Sequence, residues 1–124
     1  MEKEIVIKRT EQEIKNSVIN YLRCLPNVKV WVNNSFGSPT KNGGFHVSPN
    51  SLRGVSDILG LIAPAGRLLA IETKTTKALK EFPRKKLKYN STEYWQDRFL
   101  SEVAAKGGIT ILTDNVDDVM EIIK

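Results

Sequence analysis

Two apolar runs joined by a short turn, each ending in charge at the same level, constrain this chain more than any other feature. The first is Gly54-Val55-Ser56-Asp57-Ile58-Leu59-Gly60-Leu61-Ile62 and the second Leu68-Leu69-Ala70-Ile71-Glu72-Thr73-Lys74, with Pro64-Ala65-Gly66-Arg67 turning between them. A hairpin pivoting near Pro64 and Ala65 brings Asp57 level with Glu72. Strand side chains alternate faces, so Glu72 and Lys74 share one, and directly opposed residues stand about 5 Å apart. Two carboxylates and an ammonium then converge at one end of a buried hairpin. Carboxylates at that spacing repel unless a cation or a proton lies between them. All-oxygen ligation suits Mg²⁺ or Mn²⁺.

The remaining chain reads as a partner for that hairpin. At 124 residues it is long enough to bury one core, and one domain over 1–124 is expected. Ile14, Val18, Tyr21, Leu22 and Leu25 recur at helical spacing over 11–25, and Pro26 stops the helix. Thr10-x-x-Glu13 is a capping box. Val28–Val32 alternates as a strand, and 33–53, rich in Gly, Ser, Asn and Pro, reads as a long mobile loop. The hairpin spans about 55–63 and 67–74. A second helix is expected from about Thr92 to Lys106, with Trp95, Phe99, Leu100, Val103 and Ala104 inward and Gly107 as its stop. Ile109–Thr113 is a strand, and Asp114 is placed as the cap of a final helix carrying Val116, Val119, Met120 and Ile123. A mixed α/β sheet flanked by helices follows.

Composition narrows the partners. The single cysteine, Cys24, leaves no internal disulfide and fits a reducing, cytoplasmic setting. One cysteine and one histidine argue against a structural zinc site, and His46, in the loop, is assigned no role. No apolar run approaches the ~20 residues of a membrane span, and no signal-peptide pattern follows the charged Met1-Glu2-Lys3-Glu4. The net charge of +5 is a modest excess that fits a polyanionic partner. Most of it gathers in Lys77, Lys80, Arg84, Lys85, Lys86 and Lys88, directly after Lys74. The bland reading of such a run is a solvated loop; its position predicts contact with a phosphate backbone, and Arg53 is a further candidate.

Taken in order, Thr10-Glu11-Gln12-Glu13-Ile14, the Gly54-Val55-Ser56-Asp57 run, Ile71-Glu72-Thr73-Lys74, and Gln96 opening a helix that ends in Lys106-Gly107-Gly108 resemble the virus-type replication–repair nuclease (VRR-NUC) domain of the PD-(D/E)XK superfamily. The resemblance runs from about Thr10 to Ile123. It implies the αβββαβ core of those nucleases and a Mg²⁺- or Mn²⁺-dependent deoxyribonuclease. Asp57, Glu72, the Thr73 backbone carbonyl and Glu11 would be metal ligands, and Lys74 and Gln96 would serve the reaction with them. Phosphodiester chemistry gives the parts: metal held by Asp57 and Glu72 polarises the phosphate and acidifies water, and Lys74 orients that water or meets the charge developing on phosphorus.

Other readings stand beside these. Asp57 could cap a turn, and Glu72 with Lys74 could be a solvated strand end. Glu11 lies on the inward stripe with Ile14 and Val18, whereas Glu13 has its own task in the capping box; the bland reading of Glu11 is an exposed first-turn acid favoured by the helix dipole. Gln96 shares a face with Leu100 and Val103 and could be a satisfied core amide, while Trp95 and Phe99 read as core. Small stand-alone VRR-NUC domains are similar to Holliday-junction resolvases. The expected substrate is therefore branched DNA, and symmetrical cutting of a junction calls for a homodimer. A phage-like or mobile-element setting fits the size. The rival function is a non-catalytic DNA-binding module that keeps the fold; an RNA- or sugar-processing enzyme has no feature here to recommend it.

Overall fold

The computed structural model describes residues 8–33, 38–39, 43, 45–46, 52–82 and 87–124. The first helix, α1, runs Glu11–Arg23. Its capping box is present: the Glu13 amide donates to Thr10 Oγ1 at 3.1 Å, and the Glu13 carboxylate accepts from the Thr10 amide. Ile14, Val18, Ile19 and Leu22 form its buried stripe. The helix ends two residues earlier than the spacing predicts, because the chain turns through Cys24 and Leu25 ahead of Pro26.

Strand β1 (Val28–Val32) leads to a minimal antiparallel pair, β2 (Ser38–Pro39) with β3 (Phe45–His46). The segment 33–53 is therefore not wholly irregular: its described part holds a paired ladder. Strands β4 (Ile58–Ile62) and β5 (Arg67–Thr73) form the central hairpin, with Ile58 opposite Ile71 and Ile62 opposite Arg67. That register sets Asp57, one residue before β4, level with Glu72.

A short helix, α2 (Thr76–Glu81), follows, capped by the Thr75 hydroxyl, which accepts from the Ala78 amide. It lies in the lysine-bearing segment, where no helix was expected. Next come α3 (Thr92–Ala105), β6 (Ile109–Thr113) and α4 (Val116–Ile122). At the end of α3, the Gly107 amide donates to the Ala104 carbonyl and that of Gly108 to Val103, with Gly107 at φ +93°. These bonds satisfy two of the carbonyls of the last turn, and the positive φ is one that glycine adopts without strain. The cap of α4 is Asn115, not Asp114: Asn115 Oδ1 accepts from the Asp118 amide. Asp114 instead accepts a hydrogen bond from the Thr76 side chain, which holds its carboxyl below the ordinary value.

The sheet order is β1-β4-β5-β6, antiparallel across the first two pairs and parallel between β5 and β6. It is a four-stranded mixed open sheet flanked by helices. Val30, Ile58, Leu69, Ile71 and Ile111 point to one face, where they meet Val18, Ile19 and Leu22 of α1 together with Val119 and Ile123. The other face carries Leu68, Ala70 and Glu72 and lies under α3. Strand β5 is thus paired on both edges and covered on both faces. Its last five residues, Leu69 to Thr73, are all buried, which explains a near-continuous apolar run in place of alternation. Among the described residues, no helix is long and apolar enough to cross a membrane.

Candidate metal centre

Glu72 continues β5 on the α3 face and is 1% exposed. A carboxylate in such a position costs several kcal/mol unless it is compensated. One of its oxygens is partnered: Oε1 accepts from Gln96 Nε2 at 2.9 Å. The other, Oε2, has no partner among the described residues. Burial, then the charge of Asp57, push the carboxyl up to about 8, against the opposing pull of Lys74. Without a cation this group therefore holds its proton through neutral pH.

Two further acids stand close by. Glu11 comes from the first turn of α1 and Asp57 from the residue before β4. One carboxylate oxygen from each of Glu11, Asp57 and Glu72 lies within 4.8 Å of the other two. Oxygens bound to one divalent ion sit about 2.0–2.6 Å from it, so they can be at most about 4–5 Å apart. The three acids fit a single ion on that criterion, and the orphaned Glu72 Oε2 is the oxygen that such an ion would satisfy. The group can therefore hold a metal ion. Asp57 is half-buried and Glu11 exposed, so the site opens from the buried strand end toward solvent.

Gln96, on α3, links the acids to Lys74. Its Oε1 accepts from Lys74 Nζ at 2.9 Å while its Nε2 serves Glu72. An amide placed between an ammonium and a carboxylate has one orientation that satisfies both. It is a polar bridge on a largely apolar stripe, not an amide satisfied within the core. The ammonium of Lys74 also lies 5.0 Å from the centre of the Phe82 ring. A cavity of about 310 Å³ opens beside it, lined by Lys74, Glu81, Phe82, Lys88, Ser91 and Glu93 among others.

The Asp57 loop and the Gln96 helix are locked together by a glycine. Gly54 has φ +79°, and a Cβ there would run into the Trp95 carbonyl and the Gln96 amide nitrogen. The close approach requires a residue without a side chain, and it fixes the distance between the two halves of the site.

Thr73 ends β5 opposite Thr113, with its side chain buried. Lys77 and Lys80 are exposed on α2, and Lys88 is exposed beyond it. Arg84, Lys85 and Lys86 lie outside the described residues. Arg53 is already engaged: it donates to Asn90 Oδ1 and stacks on the Trp95 ring, 5.2 Å from its centre. Trp95 is half-buried rather than core, as are Phe99 and Val103, and Ala104 is exposed; of the residues expected inward on α3, Leu100 alone is buried. Sequence reasoning missed Lys15, whose Nζ lies 3.6 Å from Asp57 Oδ2. The available signal was its place four residues after Glu11, one turn along the same helix face. Comparison of the chain with family models, with curated proteins and with solved structures returns no match.

Proposed function

We propose that this chain is a metal-dependent deoxyribonuclease of the PD-(D/E)XK type, similar to VRR-NUC domains, that hydrolyses phosphodiester bonds in branched DNA. The observation that carries the reading is the buried Glu72, with one oxygen bonded through Gln96 to Lys74 and the other without a partner among the described residues, in a group of three carboxylates that could hold one ion. Glu11, Asp57 and Glu72 would hold the ion, with the Thr73 carbonyl as a further ligand, and hard oxygen donors favour Mg²⁺ or Mn²⁺. When bound, the ion would polarise the scissile phosphate and lower the pKa of a coordinated water.

The chain's own residues then have distinct tasks. Lys74, held by Gln96, presents an ammonium to the negative charge that develops on the phosphoryl oxygens. Gln96 keeps that ammonium and the Glu72 carboxylate at fixed separation. Lys15 offsets part of the charge on Asp57 and would add a cation to the phosphate contacts. Lys77, Lys80 and Lys88 carry cations along the chain that leaves Lys74, suited to backbone contacts that are independent of sequence. Symmetrical incision of a junction would need two such sites, hence a homodimer.

The test is cleavage by purified protein of a four-way junction, a flap and a linear duplex, with Mg²⁺, Mn²⁺ or chelator. The reading expects metal-dependent cutting, strongest on the branched substrates, that Glu72→Gln and Lys74→Ala abolish. Cutting undiminished in Glu72→Gln, or unaffected by chelator, contradicts it.

A further inference from the structure

Beside the metal centre, on the outer side of the turn that precedes α3, three aromatic rings and an arginine form a continuous patch. Residues 88–91 make a tight turn, with the Ser91 amide donating to the Lys88 carbonyl and Asn90 at φ +68°, a conformation asparagine tolerates better than most residues. That turn has two effects. It puts Tyr89 at the tip, 72% exposed, and it aims Asn90 Oδ1 at both Trp95 Nε1 and the Arg53 guanidinium, which donate to it. Tyr89 stands edge-on to Tyr94 at 5.2 Å between ring centres, Tyr94 stands edge-on to Trp95 at the same separation, and Arg53 covers the Trp95 ring.

The hydrogen bonds and edge-on contacts tie the patch together, yet most of the surface of Tyr89 is exposed. Burial therefore does not account for Tyr89. The patch is joined to the metal centre in two ways. Trp95 precedes Gln96 on α3 and is clamped by Gly54 to the loop that carries Asp57. The same turn, through Lys88 and Ser91, lines the cavity that Lys74 also lines. Lys88 adjoins Tyr89 in the chain and Arg53 lies over Trp95, so cations accompany the rings of the patch.

Resting on the nuclease reading, we infer that Tyr89, backed by Tyr94, Trp95 and Arg53, is a stacking platform for an unpaired nucleobase next to the scissile phosphate. The substrate class is then DNA with a single-stranded or unstacked nucleotide at the cut. A base within intact duplex has both π faces covered by its neighbours and offers none to a tyrosine, whereas an unpaired base offers both. The cations supply backbone attraction at the same place.

The test uses the intact protein in chelator, so that binding is read without cleavage. Fluorescence anisotropy compares a paired duplex with the same duplex carrying a short single-stranded gap. Wild type should prefer the gapped DNA. Tyr89→Ala should weaken gapped-DNA binding about tenfold and leave duplex binding unchanged, and Tyr89→Phe should restore the preference. Equal losses on both DNAs, or no loss, overturn the platform. So does a Tyr89→Ala variant with unchanged gapped-DNA affinity but altered self-association on sedimentation, which would make the patch a protein interface. Failure of wild type to prefer gapped DNA overturns the platform. Absence of metal-dependent cleavage by wild type overturns the nuclease reading and the platform with it; a gap preference that survives in Tyr89→Ala, alongside metal-dependent cleavage by wild type, overturns the platform alone.

Discussion

Neighbouring residues of one strand live in opposite environments. Ile71 points to the face covered by α1 and α4, where it is fully buried among Val18, Leu22, Ile58 and Ile111. Glu72, the next residue, points to the α3 face and is buried almost as completely, but with a carboxyl that burial drives up to about 8 and an oxygen without a hydrogen-bond partner among the described residues. The first face consists of apolar contacts and stabilises the fold. The second carries a polar group that destabilises the isolated chain and is resolved only by a proton or a cation. Full enclosure of β5 serves both: it makes the core and it raises the energy of the free carboxylate.

The largest difference between the two faces should appear on truncation. Ile71→Ala removes buried methylenes and leaves a cavity, and is expected to cost about 2–5 kcal/mol. Glu72→Gln removes a buried charge at constant shape and should leave stability in chelator unchanged or higher at alkaline pH. Denaturant unfolding of the two variants in chelator checks this; a Glu72→Gln loss as large as that of Ile71→Ala would erase the distinction.

The pH dependence sharpens it. The carboxyl is raised in the folded state to about 8 from its ordinary 4.5. Between those values the folded chain holds a proton that the unfolded chain has released. Its contribution is fully present below about pH 4.5 and is lost as pH rises through about 8, at about 1.4 kcal/mol per pH unit in between. In chelator, wild type should therefore lose stability relative to Glu72→Gln across that window. Saturating Mn²⁺ should reverse the trend, because the ion binds the deprotonated form and releases the proton. Parallel pH–stability curves for the two proteins would contradict the assignment.

The smallest effect separates the two acids of the first turn of α1. Glu13→Ala breaks the capping box and should cost about 1 kcal/mol with metal binding intact. Glu11→Ala should leave stability in chelator nearly unchanged and weaken Mn²⁺ binding. Thermal unfolding with and without Mn²⁺ reads both effects.

Much of this geometry is legible in the chain because it depends on local rules. A hairpin register is fixed by its turn, so counting outward from Pro64 and Ala65 places Asp57 opposite Glu72, and the pairing of Ile58 with Ile71 agrees. The capping box and the strands Val28–Val32 and Ile109–Thr113 follow from equally local patterns. The features that escaped depend on what lies across space. Helix α2 is six residues long within a lysine-rich run, and its chief local signal is the Thr75 cap. Asp114 and Asn115 are equivalent as caps by residue type; the Thr76 side chain engages the first and leaves the second to α4. Trp95 reads as core on a helical wheel because Arg53 and Asn90, which hold it at the surface, come from other segments. The pairing of Lys15 with Asp57 needs the packed position of α1.

The central claim is that the unpartnered oxygen of Glu72 belongs to a divalent-metal site. Calorimetric titration of Mn²⁺ into wild type, Glu72→Gln and Lys74→Ala at pH 7 tests it most directly. The account predicts one saturable event in wild type with release of a proton, its loss in Glu72→Gln, and its persistence in Lys74→Ala, because an ammonium is not a ligand. Equal Mn²⁺ affinity in wild type and Glu72→Gln would contradict it.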